Sequence, residues 1–378
     1  MTPSSGSGDK VLEQEAFELK EKVSSVDLPS DLQEKVLKMV DRLVRMAKYG
    51  GYSAEYENLA RYVDWVASLP WQIRTIDRLG LEEARVVLDK HHYGLGEIKE
   101  RLLEYIAVLR LHQEQVDVFP ASGERREISG QIRVESGKKM VVVSRAPILL
   151  FVGLVGTGKT TLASAIADAM NRKFARIPFG GMGSAAQLRG QSRVFPDAEP
   201  GQIIKVLRRA GSKNPVILLD EIDRVTEGAR SDIMGVLIEL LDPEQNSAFV
   251  DHYIDYPFDL SEVLFVATCN NTTGLSPAVL DRLEPIQMPT YNDEQKIAIG
   301  KSYILPQAIA RAGLDRNTLI IDEDVWPLLV RPLGFDAGIR TLERTIGGIC
   351  RKVAKLMVES KVKQCLITKE NVKDFLPV

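Results

Sequence analysis

The sequence is poor in the residues that build metal centres and disulfide frameworks. Only three cysteines occur among its 378 residues, Cys269, Cys350 and Cys365, and their spacing matches neither a zinc site nor paired disulfides. We therefore expect reduced thiols. The four histidines include the adjacent pair His91 and His92, but no cluster of cysteines or carboxylates completes a ligand set around them. A metal centre of histidine and cysteine is thus not expected.

Long apolar runs are absent as well. No segment reaches the ~20 apolar residues of a membrane-spanning helix, and the Ser/Gly-rich start of the chain has no apolar signal segment. The 49 lysines and arginines nearly balance the 52 aspartates and glutamates, so the total charge gives no general attraction to nucleic acids or membranes, although a local basic patch stays open. A content of 44% apolar and 27% charged residues is typical of a soluble globular protein. We expect a cytoplasmic protein without a membrane partner.

Apolar periodicity divides the chain into a helical segment, an α/β domain and a second helical domain. The predicted parts are a disordered tail at 1–10, a helical segment at 11–80, the α/β domain at 81–288 with an insertion at 112–145, and an all-α domain at 289–378. Strand-length apolar runs at Ile148–Val152, Val216–Leu219 and Val263–Thr268 are each followed by Gly, Asp or Asn and then by a helical stretch. This alternation predicts a parallel sheet with helices on both faces. Short alternating runs in the insertion, Glu127-Ile128 and Met140 to Val143, indicate small strands or a hairpin.

The strongest functional signal is the loop between the first of these strands and the next helix. Residues Gly153 to Thr160 fit the pattern G-x-x-x-x-G-K-[ST], in which backbone N–H groups surround phosphate oxygens. The N-terminus of the following helix adds a partial positive charge. We expect Lys159 to reach the β- and γ-phosphates of ATP and the Thr160 hydroxyl to bind Mg²⁺. The predicted nucleotide-binding residues are Gly153, Leu154, Val155, Gly156, Thr157, Gly158, Lys159, Thr160, Thr161 and Asp220.

Polar residues follow the other two strands. Asp220 and Glu221 end the second strand, and ligands of open α/β sheets bind beyond the carboxyl ends of the strands. Asp220 is predicted to hold the water shell of Mg²⁺ and Glu221 to activate the attacking water, while a helix N-cap is the alternative role for the aspartate. Asn270 follows the third strand, where it either binds the γ-phosphate or the attacking water, or simply forms a turn. Arg282 and Arg340, each considered alone, are ordinary surface ion-pair residues.

Together these motifs resemble the ATPase module of Lon, an AAA+ protease. The resemblance extends from about residue 11 to the end of the chain. It implies a P-loop AAA+ fold, in which a parallel sheet flanked by helices is preceded by a helical segment and followed by an all-α lid. The further stretches that carry it are Tyr62-Val63-Asp64-Trp65, Leu69-Pro70-Trp71, His92-Tyr93-Gly94, Lys99-Glu100-Arg101, Leu241-Asp242-Pro243-Glu244-Gln245-Asn246, Asp251-His252-Tyr253, Pro257-Phe258-Asp259-Leu260-Ser261 and Ala337-Gly338-Ile339-Arg340.

The resemblance implies roles for three of the polar residues. Asn270 is similar to the first sensor of the nucleotide state, and Arg340 is similar to the second sensor, which the lid carries. Arg282 resembles the arginine finger that reaches the nucleotide of a neighbouring subunit. With Glu221, these are the predicted catalytic residues. An arginine donated between subunits implies a ring, expected to be a homohexamer, in which hydrolysis is coupled to motion between subunits.

The resemblance also implies a segment that contacts substrate. Members of the family thread unfolded polypeptide through the ring by aromatic pore loops. Phe195 stands where the family usually has a tyrosine and is predicted to grip the polypeptide, while a core phenylalanine is the alternative. Leu154 and Val155 replace prolines of the family, and Gly183–Ala186 replaces acidic residues, which leaves the substrate preference open.

The resemblance predicts ATP-driven unfolding or translocation of unfolded or damaged proteins, with ATP and Mg²⁺ as cofactors. The chain stops where the serine–lysine protease domain of the family would begin, so we expect no proteolysis by this chain itself, and a separate protease partner stays open. The alternatives are an AAA+ motor or loader acting on nucleic acid, and a regulatory ring subunit that only binds ATP. Because the family also occupies mitochondria and peroxisomes, an organellar matrix is the alternative to the cytoplasm.

Overall fold

The computed structural model describes residues 7–49, 53–118, 133–134, 141–142, 148–331, 338–360 and 364–376. The helices are α1 (Ser7–Ser25), α2 (Ser30–Tyr49), α3 (Ala54–Ala67), α4 (Leu81–His91), α5 (Gly96–Val118), α6 (Lys159–Ala169), α7 (Ala186–Arg189), α8 (Gln202–Ala210), α9 (Arg230–Leu241), α10 (Pro277–Leu280), α11 (Asp293–Ile299), α12 (Leu305–Arg311), α13 (Trp326–Val330), α14 (Arg340–Ser360) and α15 (Val372–Phe375). A π-helical turn, Gly300–Ile304, joins α11 to α12, and 3₁₀ turns occur at Ile222–Arg224, Glu227–Ala229, Asn246–Ala248 and Glu323–Val325.

The strands are β1 (Arg133–Val134), β2 (Val141–Val142), β3 (Ile148–Val152), β4 (Phe174–Pro178), β5 (Val216–Asp220), β6 (Phe249–Val250), β7 (Pro257–Phe258), β8 (Leu264–Cys269), β9 (Leu283–Gln287), β10 (Leu319–Ile321) and β11 (Cys365–Ile367). None of the helices within the described residues is both long and apolar enough to span a lipid bilayer. The three cysteines are free thiols, as predicted.

A five-stranded parallel sheet in the order β4-β5-β8-β3-β9 forms the centre of the α/β domain. Its three inner strands are those predicted from the apolar runs, and their residues are almost all buried. The edge strands β4 and β9 have no such run, because a strand at the edge of a sheet is less completely covered and tolerates residues such as Pro178 and Pro285. The sequence pattern therefore revealed only the inner strands.

Helices cover both faces of this sheet, as predicted. Successive residues of a strand point to opposite faces. Leu218 of β5 therefore joins the core formed with α4, α5 and α6, while Ile217 and Leu219 join a core that continues through α8 and α9 to the N-terminal helices. The α/β domain and the helical segment before it thus share one continuous apolar core.

Aromatic side chains on α3 and in the segment after it pack the N-terminal helices against the α/β domain. The buried Tyr62 hydroxyl donates a hydrogen bond to the Ile254 carbonyl at 3.1 Å, and the ring of Trp71 packs on that of Phe258 with a centroid distance of 4.9 Å. Helix α1 begins at Ser7, so residues 7–10 of the predicted tail are helical, while residues 1–6 lie outside the described residues. A helix that has already formed extends without a new nucleation step, so α1 can begin several residues before the predicted boundary.

The predicted insertion at 112–145 falls largely outside the described residues. Helix α5 continues into it as far as Val118. Strands β1 and β2 pair antiparallel, with Arg133 opposite Val142. Strand β2 lies within the predicted run from Met140 to Val143, whereas the other predicted run, Glu127-Ile128, lies outside the described residues. The domain boundaries themselves stay predictions.

The C-terminal domain is mainly helical, but it is not entirely so. Strands β10 and β11 form a parallel pair in which Leu319 lies opposite Cys365, so the expectation of an all-α lid needs correction. Both strands have three residues, too short a run to give a recognisable period in the sequence. Trp326, Ile346 and Ile349 lie in the separate core of this domain.

Candidate nucleotide-binding site

The predicted phosphate-binding loop joins the buried strand β3 to helix α6. Gly156 and Gly158 have φ angles of +88° and +90°, a region in which residues with a Cβ are strained and glycine is not. The loop thereby turns its backbone towards the N-terminus of α6, where N–H groups and the helix dipole favour an anion. The side chains of Leu154 and Val155 are exposed. The contacts of this loop with phosphate are therefore expected to come from its backbone and from Lys159.

The Lys159 ammonium group is held inside the site by oxygen acceptors. Its Nζ donates to the carbonyls of Gly153 at 2.5 Å and Leu154 at 2.9 Å, and lies 3.3 Å from Oδ1 of Asn270. Burial lowers the pKa of this amine, while nearby acidic groups, including Asp220, oppose the shift. The charged amine is thus placed at the carboxyl edge of the sheet beside the predicted sensor asparagine.

Asp220 lies at the end of β5 and is almost fully buried. Its Oδ1 accepts a hydrogen bond from the Thr268 hydroxyl at 2.5 Å, and its Oδ2 accepts from Nε of Arg176 at 2.7 Å. The Thr268 hydroxyl oxygen in turn accepts the backbone N–H of Glu221 at 2.9 Å. Neither Thr268 nor Arg176 was identified from the sequence, because each is an isolated polar residue within a strand.

The residues present fit a magnesium ion. Asp220 projects from the same sheet face as Leu218, which packs in one core with Leu162 of α6, and Thr160 lies in the first turn of that helix. A carboxylate and a hydroxyl are the hard oxygen ligands that Mg²⁺ prefers, usually together with water and phosphate oxygens. Within the described residues, no group of three His, Cys, Asp or Glu side chains could hold a metal alone. The site therefore suits a magnesium ion that arrives with a nucleotide.

Glu221 has a strained backbone. Its φ and ψ angles of 57° and 50° lie in the left-handed region, which is uncommon for residues other than glycine and typical of functional sites. Its Oε2 lies 3.4 Å from Nη1 of Arg224 and close to Gly180, the second residue after β4. The turn therefore directs this carboxylate past the end of β5, and its role in activating water stays a prediction.

Asn270 is anchored on one side and unpartnered on the other. Its backbone N–H donates to Oδ2 of Asp223 at 3.1 Å, and its Oδ1 faces Lys159. Its Nδ2 is buried and has no hydrogen-bond partner, as is also true of Oδ1 of Asp223, among the described residues. A buried donor without a partner is unfavourable, so the arrangement fits a γ-phosphate or water oxygen as an acceptor. Asp223, which follows Asp220 by three residues, was not identified from the sequence.

The lid reaches the phosphate loop directly. The Ile339 backbone N–H donates to the Gly156 carbonyl at 3.1 Å, and Cγ of Arg340 lies 3.4 Å from the point that a Cβ on Gly156 would occupy. The Tyr291 hydroxyl donates to the Thr157 carbonyl at 3.1 Å. Arg340, the first residue of α14, is therefore placed beside the loop, while its role as a sensor stays a prediction.

Arg282 has a different environment. Its guanidinium donates to the Ala278 carbonyl at 2.8 Å and to the Asp242 carboxylate at 3.0 Å. In the described part of the chain, none of its hydrogen bonds reaches a predicted phosphate-binding residue. This ion pair agrees with the structural alternative for Arg282, and the finger role between subunits is not tested by a single chain.

His92 is a neighbour of the phosphate loop to which the sequence assigned no role. It is buried, and its Cε1 lies 3.4 Å from the point that a Cβ on Gly158 would occupy. Burial lowers the pKa of its imidazole to about 4, and the positive charges of Lys99 and His91 act in the same direction. The ring is therefore neutral at pH 7. The motif His92-Tyr93-Gly94 was a signal that could have placed this residue at the site.

Phe195 is exposed, which excludes the alternative of a core phenylalanine. The exposed fractions are 63% for Phe195 and 88% for its neighbour Val194. Phe195 lines a cleft of about 180 Å³ whose wall includes Leu59 of α3 and Tyr253. The ring of Phe195 is thus exposed in the single chain, while its role in gripping polypeptide stays a prediction.

Comparison with known proteins identifies two matching family models. Residues 149–290 match the ATPase family associated with various cellular activities (AAA), and residues 310–366 match the Lon protease AAA+ ATPase lid domain. The first match contains nearly the whole sheet together with Lys159, Asp220, Glu221, Asn270 and Arg282. The second contains most of the C-terminal domain, including Arg340.

Similar full-length proteins are Lon proteases of bacteria. Lon protease 2 of Thermus thermophilus is 39% identical over 364 residues, which cover 96% of this chain and 43% of that protein. Lon protease of Desulforamulus reducens is 40% identical over 356 residues, with 94% and 40% covered, and that of Dictyoglomus thermophilum is 39% identical over 365 residues, with 96% and 42% covered. The chain thus spans about two fifths of the length of these curated relatives.

The contact between lid and phosphate loop generates a prediction for Gly338→Ala. A Cβ at this position would lie 2.6 to 2.7 Å from backbone atoms of Gly156, so the lid has to move away from the loop. Overpacking of this kind costs about 1–3 kcal/mol, and we expect nucleotide affinity to fall by about tenfold or more. Equilibrium binding of a fluorescent adenine nucleotide measures the change. Gly347→Ala in helix α14 of the same domain is the control, because its Cβ would meet only the end of Arg351 at 3.4 Å. Equal affinities of the two variants would contradict the prediction.

The buried His92 generates a prediction for pH dependence. The pKa of His92 is about 4 in the folded protein against a reference value of 6.5, so the unfolded chain binds this proton first as the pH falls. Its contribution to stability is complete above pH ~6.5 and is lost as the pH falls towards 4. Between pH 7 and pH 5 we expect a loss of about 2 kcal/mol in the free energy of unfolding.

Urea denaturation at these pH values tests the assignment with two variants. His92→Gln has no titrating ring, so its stability should fall less steeply with decreasing pH than that of the wild type. His252→Gln, which alters an exposed histidine, should keep the wild-type slope. Identical slopes for the wild type and His92→Gln would show that the buried ring does not cause the pH dependence.

Proposed function

We propose that this chain, which belongs to the Lon-type AAA+ ATPases and has an AAA domain followed by a Lon lid domain, hydrolyses ATP with Mg²⁺. It uses the energy of hydrolysis to unfold and translocate polypeptides. The single observation that supports hydrolysis most strongly is the unpartnered Nδ2 of Asn270 beside the buried Lys159 ammonium. The γ-phosphate or the attacking water would supply the acceptor that this donor lacks.

In the proposed reaction, the residues position the nucleotide rather than form covalent intermediates. The loop from Gly153 to Gly158 binds the phosphates through its backbone, and Lys159 leaves its carbonyl acceptors to bind the β- and γ-phosphates. Thr160 and Asp220 would hold the magnesium ion. When bound, this ion neutralises negative charge on the phosphate oxygens. Glu221 accepts a hydrogen bond from the attacking water and draws it into line with the γ-phosphate.

Charge that develops on the γ-phosphate is stabilised by donors on several elements. Asn270 supplies its free amide from the end of β8, and Arg340 supplies a guanidinium from the lid. Arg282 completes the site of a neighbouring subunit in a homohexameric ring. This assignment requires that Arg282 exchange its ion pair with Asp242 for a contact across the subunit interface.

The substrates proposed for the ring are unfolded or damaged proteins, gripped by Phe195. The balanced charge and the absence of a basic and aromatic stripe in the sequence do not favour a motor acting on nucleic acid. A regulatory subunit that binds ATP without turnover is disfavoured by the presence of Glu221 and Asn270 together. Degradation of the translocated polypeptide requires a protease domain or a separate protease, and the cytoplasm is the proposed compartment.

The first prediction for this function concerns Glu221→Gln. The amide keeps the shape of the side chain but accepts the proton of water poorly, so we expect turnover to fall by about 10²-fold or more while nucleotide affinity stays near that of the wild type. Phosphate release and equilibrium nucleotide binding measure the two effects. Glu227→Gln, an exposed residue in the following turn, is the matched control and should keep its turnover. Normal turnover by Glu221→Gln would remove Glu221 from the mechanism.

The second prediction concerns the exposed Phe195. If this ring grips polypeptide, Phe195→Ala should hydrolyse ATP at the basal rate but lose most of the stimulation by an unfolded protein. Val194→Ala, which removes apolar atoms from the adjacent and more exposed position, is the control. ATPase rates with and without a chemically unfolded protein measure the effect. Unchanged stimulation in Phe195→Ala would exclude this ring as the gripping residue.

A further inference from the structure

Arg176 binds the carboxylate that the proposed function assigns to magnesium. Its Nε lies 2.7 Å from Oδ2 of Asp220 and its Nη2 lies 2.6 Å from the same oxygen. The side chain of Asp220 is 5% exposed, whereas that of Arg176 is 51% exposed. A buried carboxylate is thus paired with a cation that reaches it from solvent.

The register of the sheet explains how the two side chains meet. In the pairing of β4 with β5, Arg176 lies opposite Leu218 and Pro178 lies opposite Asp220. Residues two apart in a strand point to the same face, so Arg176 and Asp220 share the face that α6 covers. Thr160 lies in the first turn of that helix. The guanidinium is therefore on the side of the sheet where the magnesium ion is expected.

We infer that Arg176 and Mg²⁺ compete for Asp220, so that the arginine acts as a displaceable counter-ion of the magnesium site. The inference rests on the proposed function and concerns the regulation of the same site. Before nucleotide binds, the guanidinium neutralises Asp220 and holds it at the end of β5. When Mg²⁺ arrives with nucleotide, repulsion between the two cations weakens the pair, and the half-exposed arginine moves towards solvent.

The surroundings of Asp220 favour such an exchange. A buried carboxylate left without any cation is strongly destabilising, so a counter-ion is needed whenever magnesium is absent. The Thr268 hydroxyl holds Oδ1 and the backbone N–H of Glu221 holds that hydroxyl, so the carboxylate keeps its orientation when Oδ2 changes partner. Since about half of the Arg176 side chain is already exposed, its departure uncovers little additional surface.

The competition predicts how strongly magnesium promotes nucleotide binding. In the wild type, Arg176 supplies positive charge when magnesium is chelated, so the gain in affinity on adding magnesium is limited. Arg176→Met removes this charge, which weakens binding in EDTA and favours binding of magnesium. The ratio of the nucleotide Kd in EDTA to that in Mg²⁺ should therefore increase by about tenfold, within the usual range of coupling between two ligands. The Mg²⁺ concentration for half-maximal binding should decrease.

The experiment measures equilibrium binding of a fluorescent, non-hydrolysable ATP analogue to the full chain across a Mg²⁺ titration. Arg176→Gln, which keeps a hydrogen-bond donor but no charge, should behave like Arg176→Met, and Arg176→Lys, which keeps the charge, should stay near the wild type. Arg208→Met is the matched control, because Arg208 pairs with Asp64 of α3 at 2.7 Å and is also partly exposed. Thermal melting without nucleotide verifies that each variant is folded.

The outcomes separate the inference from the proposed function. A Kd ratio that is unchanged in both neutral variants, while the wild type binds nucleotide, would overturn the competition and leave Arg176 as a structural ion-pair residue. A higher Mg²⁺ requirement in these variants would also overturn it, because Arg176 would then support the metal site. If the wild type binds no nucleotide at millimolar Mg²⁺, the proposed function fails and the inference fails with it.

Discussion

The burial of opposite charges at one edge of a parallel sheet is the constraint on which the rest of the structure depends. Asp220 and Lys159 are both removed from water, and an isolated buried charge is far less stable than a paired one. The chain meets this requirement with polar groups from neighbouring strands and from the loop itself. Thr268 and Arg176 bind the carboxylate, and the carbonyls of Gly153 and Leu154 bind the ammonium. In the proposed function, these same charged groups exchange partners for a nucleotide and its metal.

A second feature of the site is the close contact between the lid and the phosphate loop. The lid has its own apolar core, yet it touches the loop through the backbones of Ile339 and Gly156. A backbone contact of this kind depends on the position of the whole helix α14 rather than on one flexible side chain. In the proposed function, nucleotide bound at the loop would therefore act on the orientation of the lid, and hydrolysis would have a direct route to movement of a domain.

Much of the site followed from local patterns, while its supporting residues did not. The loop from Gly153 to Thr160 was recognisable because glycines, lysine and threonine stand at fixed spacing between a strand and a helix. Asp220 was recognisable because a buried strand ends there. Arg176 and Asp223 were not recognisable, because a single charged residue in a strand or turn belongs to no sequence pattern. Which residue it pairs with depends on the order of the strands. The exposure of Phe195 was likewise decided by packing.

The sequence by itself determined the inner strands, the phosphate loop and the identity of the polar residues beyond the strands, because each depends on the spacing of residues that are close along the chain. Only the tertiary structure decided the strand order β4-β5-β8-β3-β9, the pairing of Arg176 with Asp220, and the approach of Gly338 to Gly156. These contacts join residues that are far apart in the sequence. Even Arg176 and Asp220 are 44 positions apart. Their geometry is set by how whole helices and strands pack, which no local spacing encodes.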